Sequence, residues 1–212
     1  MKKRIEMILL TIFACLTITA CGNTETENKT KEIKTENQET SVNGNVLVET
    51  PSGQSDTLVV YFSCTGTTQG VAEAIAKKLD ADMYEIVPEQ PYTSDDLNYN
   101  DEKSRSTKEM KDSSSRPAIS GKIEHMEQYD RIILGYPIWW GEAPRILATF
   151  VESYDFSGKT IIPFCTSGGS EIGSSAENLK SLAGSGTWME GKRISSGESG
   201  EEAVKALGIE NK

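Results

Sequence analysis

From residue 57 onward the chain alternates short, nearly unbroken apolar runs with longer segments whose apolar positions recur at helical spacing. Thr57–Ser63 is β-branched and aromatic with little alternation, the pattern of a strand buried on both faces of a parallel sheet. Gly66 breaks it, and Val71, Ala72, Ile75, Ala76 and Leu79 then fall on one face of a helix predicted over about 67–80. Met83–Val87 reads as a second strand closed by Pro88 and Pro91, Arg131–Tyr136 as a third and Lys159–Cys165 as a fourth. Pro144 suits the first turn of a helix to about Tyr154, with Ile146, Leu147, Phe150 and Val151 inward. Ser174–Leu182 predicts a further helix, Trp188–Ile194 a fifth strand and Glu201–Leu207 a last short helix. Strands alternating with helices predict an α/β fold: a parallel sheet covered on both faces, with its binding crevice at the carboxyl ends of the strands.

Two stretches fall outside this rhythm. Tyr92–Ser120 is polar, with a helical part expected between Asp95 and Lys111, and its length marks a functional excursion or a mobile loop. Residues 22–56 are rich in Thr, Glu, Asn, Lys, Ser and Gly, with Val46, Leu47 and Val48 as their one apolar cluster. Such a segment buries too little surface to offset ordering entropy and is expected to be a flexible linker, leaving 57–212 as the folded domain.

The first 20 residues are set apart again. Lys2, Lys3 and Arg4 precede an uncharged apolar stretch from Met7 to Ala20, short for a bilayer span, as in an export signal. Ile18-Thr19-Ala20-Cys21 resembles the lipobox of bacterial lipoproteins, which implies that Cys21 is acylated with chains such as palmitate and becomes the mature N-terminus. The expected location is then the outer face of the cytoplasmic membrane, with the domain anchored by lipid. Removing residues 1–20 takes away Lys2, Lys3, Arg4 and Glu6, moving the formal net charge from −10 to −12.

Composition narrows the function classes. With 212 residues, 36% hydrophobic and 25% charged, the chain can build one packed core. An excess of 32 acidic over 22 basic residues, without a basic cluster beyond the first four, argues against nucleic acid as a partner. Cysteines at 15, 21, 64 and 165 form no Cys-x-x-Cys pair, and His125 is the single histidine, so no zinc site and no Ser/His/Asp constellation is expected. Only Cys64 and Cys165 are left to pair outside the cell, which is not a disulfide framework.

Three loops follow the carboxyl ends of the three best strands and should meet at one edge of the sheet. Ser63, Cys64, Thr65, Gly66, Thr67 and Thr68 form a hydroxyl-rich turn that opens a helix. Free backbone amides and hydroxyls suit a phosphate, and no nucleotide-binding lysine is present; a capped helix start is the other reading. Pro137, Ile138, Trp139, Trp140 and Gly141 place two adjacent tryptophans at a loop, suited to stacking on a flat ring or to filling the core. Thr166, Ser167, Gly168, Gly169 and Ser170 allow close approach of a ligand to the backbone.

These pieces resemble the flavodoxin-like family, specifically its short FMN-binding branch. The resemblance spans about Thr57–Ile209 and is carried by Tyr61–Ser63 with Thr65–Thr67, by Gly135–Gly141, and by Tyr154–Thr160 through Pro163–Ser170. It implies a three-layer sandwich with a five-stranded parallel sheet in the order 2-1-3-4-5, and noncovalent FMN. Ser63, Thr65, Gly66, Thr67 and Thr68 take the phosphate role by resemblance; residues 137–141 and 166–170 flank the isoalloxazine, with Trp139 as the expected stacking residue, though sequence does not separate it from Trp140. Cys64 departs from the pattern, and a thiol at a helix N-terminus is expected to have a lowered pKa.

The leading expectation is an FMN protein that transfers electrons at the membrane, through a redox partner protein or small acceptor. Two alternatives stand beside it: an NAD(P)H-dependent quinone or flavin oxidoreductase with 92–120 shaping its pocket, and a flavin-free surface-binding lipoprotein. Glu142, Glu171 and the overall acidity would disfavour a reduced, anionic flavin and lower its potential.

Overall fold

The computed structural model describes residues 55–209. The expected signal segment, Cys21 and all but the last two residues of the linker lie outside the described residues. In chain order the elements are β1 (Thr57–Tyr61), α1 (Thr67–Leu79), β2 (Asp82–Glu85), β3 (Val87–Pro88), α2 (Arg105–Lys111) and β4 (Ile119–Ser120). A 3-10 turn at Met126–Gln128 precedes β5 (Arg131–Pro137), α3 (Arg145–Glu152), β6 (Thr160–Thr166), α4 (Ser175–Ala183), β7 (Thr187–Trp188), β8 (Lys192–Arg193) and α5 (Gly200–Ala206).

The main sheet runs β2-β1-β5-β6-β7, with β8 also paired to β6, and every pairing in it is parallel. Its alternation sets the two cores. Leu58, Val60 and Phe62 point to one face, where α3 and α4 supply Ile146, Leu147, Phe150, Val151 and Leu179. Val59 and Tyr61 point to the other, where α1 and α5 supply Val71, Ile75, Ala203 and Val204. The expected doubly covered parallel sheet in the order 2-1-3-4-5 is present, with β5 and β6 as its third and fourth strands.

The fifth strand is broken in two, and Pro163 supplies a reason. The carbonyls of Ile161 and Cys165 accept from Met189 N–H and Ile194 N–H, both at 2.9 Å, so by the two-residue period position 163 also faces this edge. Proline has no N–H to offer there. The chain accordingly leaves the ladder between Trp188 and Lys192, and Gly191 packs so closely that a Cβ would sit 3.1 Å from Pro163 Cγ and 2.4 Å from Ile172 Cδ1.

The crossover between β2 and β5 is built rather than loose. β3 and β4 pair antiparallel and close its neck. Within it, Ser104 caps α2 by accepting from Thr107 N–H at 3.3 Å. The Arg105 guanidinium lies 4.0 Å over the Tyr92 ring, its Nε donates to Glu109 Oε1 at 2.6 Å, and Tyr92 donates to Glu109 Oε2 at 2.5 Å. Arg116 holds the far end by donating from Nε and Nη2 to both oxygens of Glu152 on α3, at 2.7 and 2.8 Å. The 92–120 segment has its expected helical part, α2, between Asp95 and Lys111. Its polar residues bond one another, which hydrophobic periodicity does not register.

Candidate functional site

β1, β5 and β6 end at the same edge of the sheet, and the loops that follow them are tied together there. Phe62 N–H donates to Gly135 O at 3.0 Å, Ile138 N–H to Thr166 O at 3.0 Å, and the buried hydroxyls of Thr68 and Thr166 bond at 2.8 Å. Between these loops lies a cavity of about 620 Å³, a size typical of small-molecule and cofactor sites.

The first loop opens α1 without a side-chain cap. Gly66 holds φ +83°, a backbone conformation that only glycine adopts without strain, and its N–H donates to Ser63 Oγ at 3.1 Å. The N–H groups of the first turn therefore carry no side-chain cap, and no acidic residue stands in that turn. Ser63, Thr65, Thr67 and Thr68 line the cavity, whereas Gly66 shapes the loop without lining it.

In the second loop Trp139 and Glu142 exchange two backbone hydrogen bonds, Trp139 N–H to Glu142 O at 2.9 Å and Glu142 N–H to Trp139 O at 3.0 Å. Trp140 at φ +49° and Gly141 at φ +82° form the tip of this tight hairpin. A two-residue turn with both central residues left-handed normally takes Asn-Gly or Gly-Gly, and a tryptophan there is strained by about 1–2 kcal/mol. The geometry separates the two rings. Trp139 is half-buried and packs edge-on against Phe62 and Tyr92, at centroid distances of 5.8 and 5.5 Å. Trp140 is 49% exposed at the cavity wall. Strain that persists at a cavity wall marks Trp140 as a candidate working residue beside Trp139, the expected stacking residue, and both rings line the cavity. Pro137, Ile138 and Trp139 also line the cavity; Gly141 does not.

The third loop is braced by Ser167, whose Oγ donates to Ser170 O at 2.5 Å and accepts from Gly169 N–H and Arg193 Nε, both at 3.2 Å. Thr166, Ser167 and Gly168 line the cavity, and Gly169 and Ser170 do not.

Sequence reasoning missed four cavity residues. Leu97, Tyr99 and Ser106 come from the crossover and Ser196 from the segment before α5. None lies in a motif; only the length of the 92–120 excursion pointed toward them.

The two carboxylates expected near the ring site flank the loops without lining the cavity. Glu142 accepts from Ser174 Oγ and from Asn178 Nδ2, at 3.2 and 3.0 Å on the same oxygen, and neither it nor Glu171 lines the cavity. The guanidinium of Arg193 sits against the third loop instead. The Cys64 reading is reversed: burial pushes its thiol up to about 12, and the opposing pull of Arg105 is smaller. Burial and then Glu171 likewise raise Cys165 to about 12, and both thiols are free. Among the described residues no group of three His, Cys, Asp or Glu could hold a metal ion. His125 is exposed and does not line the cavity.

A family model for flavodoxin matches residues 56–210. The chain belongs to the flavodoxin family. Among solved structures it is similar to a candidate flavoprotein from Bacteroides eggerthii, at 44% identity and a TM-score of 0.68, over 73% of this chain and 98% of that one. A candidate flavoprotein from Bacteroides uniformis is similar at 45% identity and 0.68, covering 72% and 97%. A flavoprotein from Lactobacillus acidophilus, solved in complex with FMN, shares the fold at 21% identity and 0.55, covering 72% and 97%. No curated protein matches the chain. In this flavodoxin-family chain the matched region contains the sheet, all three loops and the whole crossover.

Proposed function

We propose that the cavity binds FMN noncovalently and that the chain transfers electrons at the outer face of the cytoplasmic membrane, anchored through acylated Cys21. The observation that carries the flavin reading is the meeting of an uncapped helix start, an exposed strained tryptophan and a glycine-serine loop around one cavity. The residues fit the group. Hydroxyls of Ser63, Thr65, Thr67 and Thr68 and the first-turn amides of α1 would hold the phosphate. Trp140 would cover one face of the ring, and the backbone of residues 166–168 would meet its polar edge. FMN, when bound, supplies one- and two-electron transfer. The protein orients it, limits water at its ring and sets its potential. The export signal and the Cys21 motif support the location, and the polar segment 22–56 would set the reach of the domain from the bilayer.

A second reading draws on the crossover. Leu97 and Tyr99 add a wall beyond the three loops, as a substrate pocket would need, which favours an NAD(P)H-dependent quinone or flavin oxidoreductase. One experiment separates the two. The purified protein is titrated with FMN, then offered NADH or NADPH with a quinone, and separately dithionite. Tight one-to-one binding with reduction by dithionite alone supports the carrier; steady nicotinamide oxidation supports the enzyme; no binding at micromolar FMN rejects both in favour of a flavin-free surface protein.

A further inference from the structure

Outside the three loops, the cavity wall holds one buried polar group with nothing in the protein to bond. Ser106, in the first turn of α2, is 1% exposed, and its Oγ has no hydrogen-bond partner among the described residues. It nevertheless lines the cavity. A serine inside a helix ordinarily turns its hydroxyl to solvent or back to the carbonyl one turn earlier. Ser106 does neither. Its neighbours show that the region is otherwise well satisfied: Ser104 Oγ donates to Thr107 Oγ1 at 2.8 Å, Thr68 pairs with Thr166, and Ser63 accepts from Gly66 N–H. A buried hydroxyl without a partner destabilises the fold that holds it; Tyr84 OH and Arg145 Nε are the other such atoms among the described residues, and neither residue lines the cavity.

The position is fixed, not incidental. Ser106 N–H donates to Asp96 O at 2.9 Å, and the adjacent Arg105 is clamped between the Tyr92 ring, Glu109 and Gln90 O. α2 also stands beside the first loop: Arg105 and Glu109 are the charged groups that act most strongly on Cys64, and Tyr92 packs on Phe62 at the end of β1.

We propose that Ser106 Oγ hydrogen-bonds the polar arm of bound FMN, its ribityl chain or phosphate, and so makes the crossover a fourth element of the cofactor site. The inference rests on the FMN reading above. A hydroxyl can donate to a phosphate oxygen and can donate to or accept from a ribityl hydroxyl. Because the network around Arg105 holds α2 before the ligand arrives, the contact needs little further ordering.

The test uses the purified full chain and its Ser106→Ala and Ser106→Thr variants. Affinity is read by flavin fluorescence for FMN and for lumiflavin, which has the ring without the arm, and thermal unfolding is recorded without flavin. Ser106→Ala should weaken FMN binding by roughly fivefold to twentyfold, leave lumiflavin binding unchanged, and leave the apo unfolding temperature equal or higher; Ser106→Thr should retain most of the FMN affinity. Unchanged FMN affinity in Ser106→Ala, an equal loss for lumiflavin, or a lowered apo unfolding temperature would each overturn the proposal while leaving the FMN reading intact. A wild-type chain that fails to bind FMN overturns both.

Discussion

Trp139 and Tyr92 meet edge-on, their ring centroids 5.5 Å apart and their planes at 81°. A loop that ends a central strand and the crossover between two strands therefore share one aromatic seam, continued by Phe62 at 5.8 Å from Trp139 and 5.9 Å from Tyr92. This seam is structural first. Trp139→Ala should destabilise the domain by about 2–4 kcal/mol, somewhat below the full cost of a buried aromatic because Trp139 is only half-buried. Urea unfolding without flavin measures it, and an unchanged midpoint would refute the seam.

Trp140 should behave in the opposite sense. Its left-handed backbone at φ +49° is relieved by a residue that tolerates that region. Trp140→Asn is expected to raise apo stability by up to about 1 kcal/mol while weakening flavin binding at least tenfold. The pair of measurements, unfolding and FMN titration, distinguishes a ring-stacking residue from a packing residue; parallel losses in both would reject the assignment.

Much of the architecture was legible in the sequence, and the reasons are local. Thr57–Tyr61, Arg131–Pro137 and Thr160–Thr166 are buried along nearly their whole length, so their apolar runs stand out. The helices α1 and α3 show their inward faces in Val71, Ala72 and Ile75 and in Ile146, Leu147 and Phe150. The fifth strand was legible only as one segment, because its break depends on which side of β6 Pro163 faces. Trp139 and Trp140 are adjacent and chemically identical; a turn conformation, invisible to residue type, gives them different exposure and packing. Ser106 has no sequence signal at all, since its interest lies in a bond that the protein does not make.

Gly135 gives a prediction about packing beneath the site. It lies in β5 opposite Phe164 of β6, and a Cβ there would be 2.1 Å from Phe164 Cζ. Phe164 is fully buried and cannot swing away. Gly135→Ala should cost about 1–3 kcal/mol or more through overpacking, and Phe164→Leu in the same chain should recover part of it. A Gly135→Ala protein with wild-type stability would contradict this packing.

The Arg116–Glu152 pair predicts a local pH response. Hydrogen bonds from Arg116 hold the Glu152 carboxyl below the usual carboxylate range. A depressed folded-state value contributes stability that is present above the unfolded value and is lost as pH falls through the folded one. The pair is about a third exposed on each side, so its global contribution is at most about 1 kcal/mol. Its effect should be regional: Glu152→Gln at neutral pH, or wild type in acid, should speed amide exchange around Ser113–Ala118 and leave β1 and β5 protected. Uniform loss of protection across the sheet would show that the pair is not a local clamp.

Cys64 separates the two views of the first loop as a reactive or an inert turn. With burial raising its thiol to about 12, almost none is thiolate at pH 8, whereas an ordinary cysteine near ~8.5 is partly ionised. Alkylation of the folded protein at pH 8 should be about a thousandfold slower than that of the unfolded chain, and its rate should keep climbing through pH 10 without a plateau. The same burial works against folding at high pH, since the raised folded value means that stability is complete below the unfolded value and declines as pH rises above it. Rapid labelling with a plateau below pH 8 would instead mean that the open amides at the start of α1 stabilise the thiolate. In that case the first loop would be a redox-sensitive element rather than an inert cradle for a phosphate.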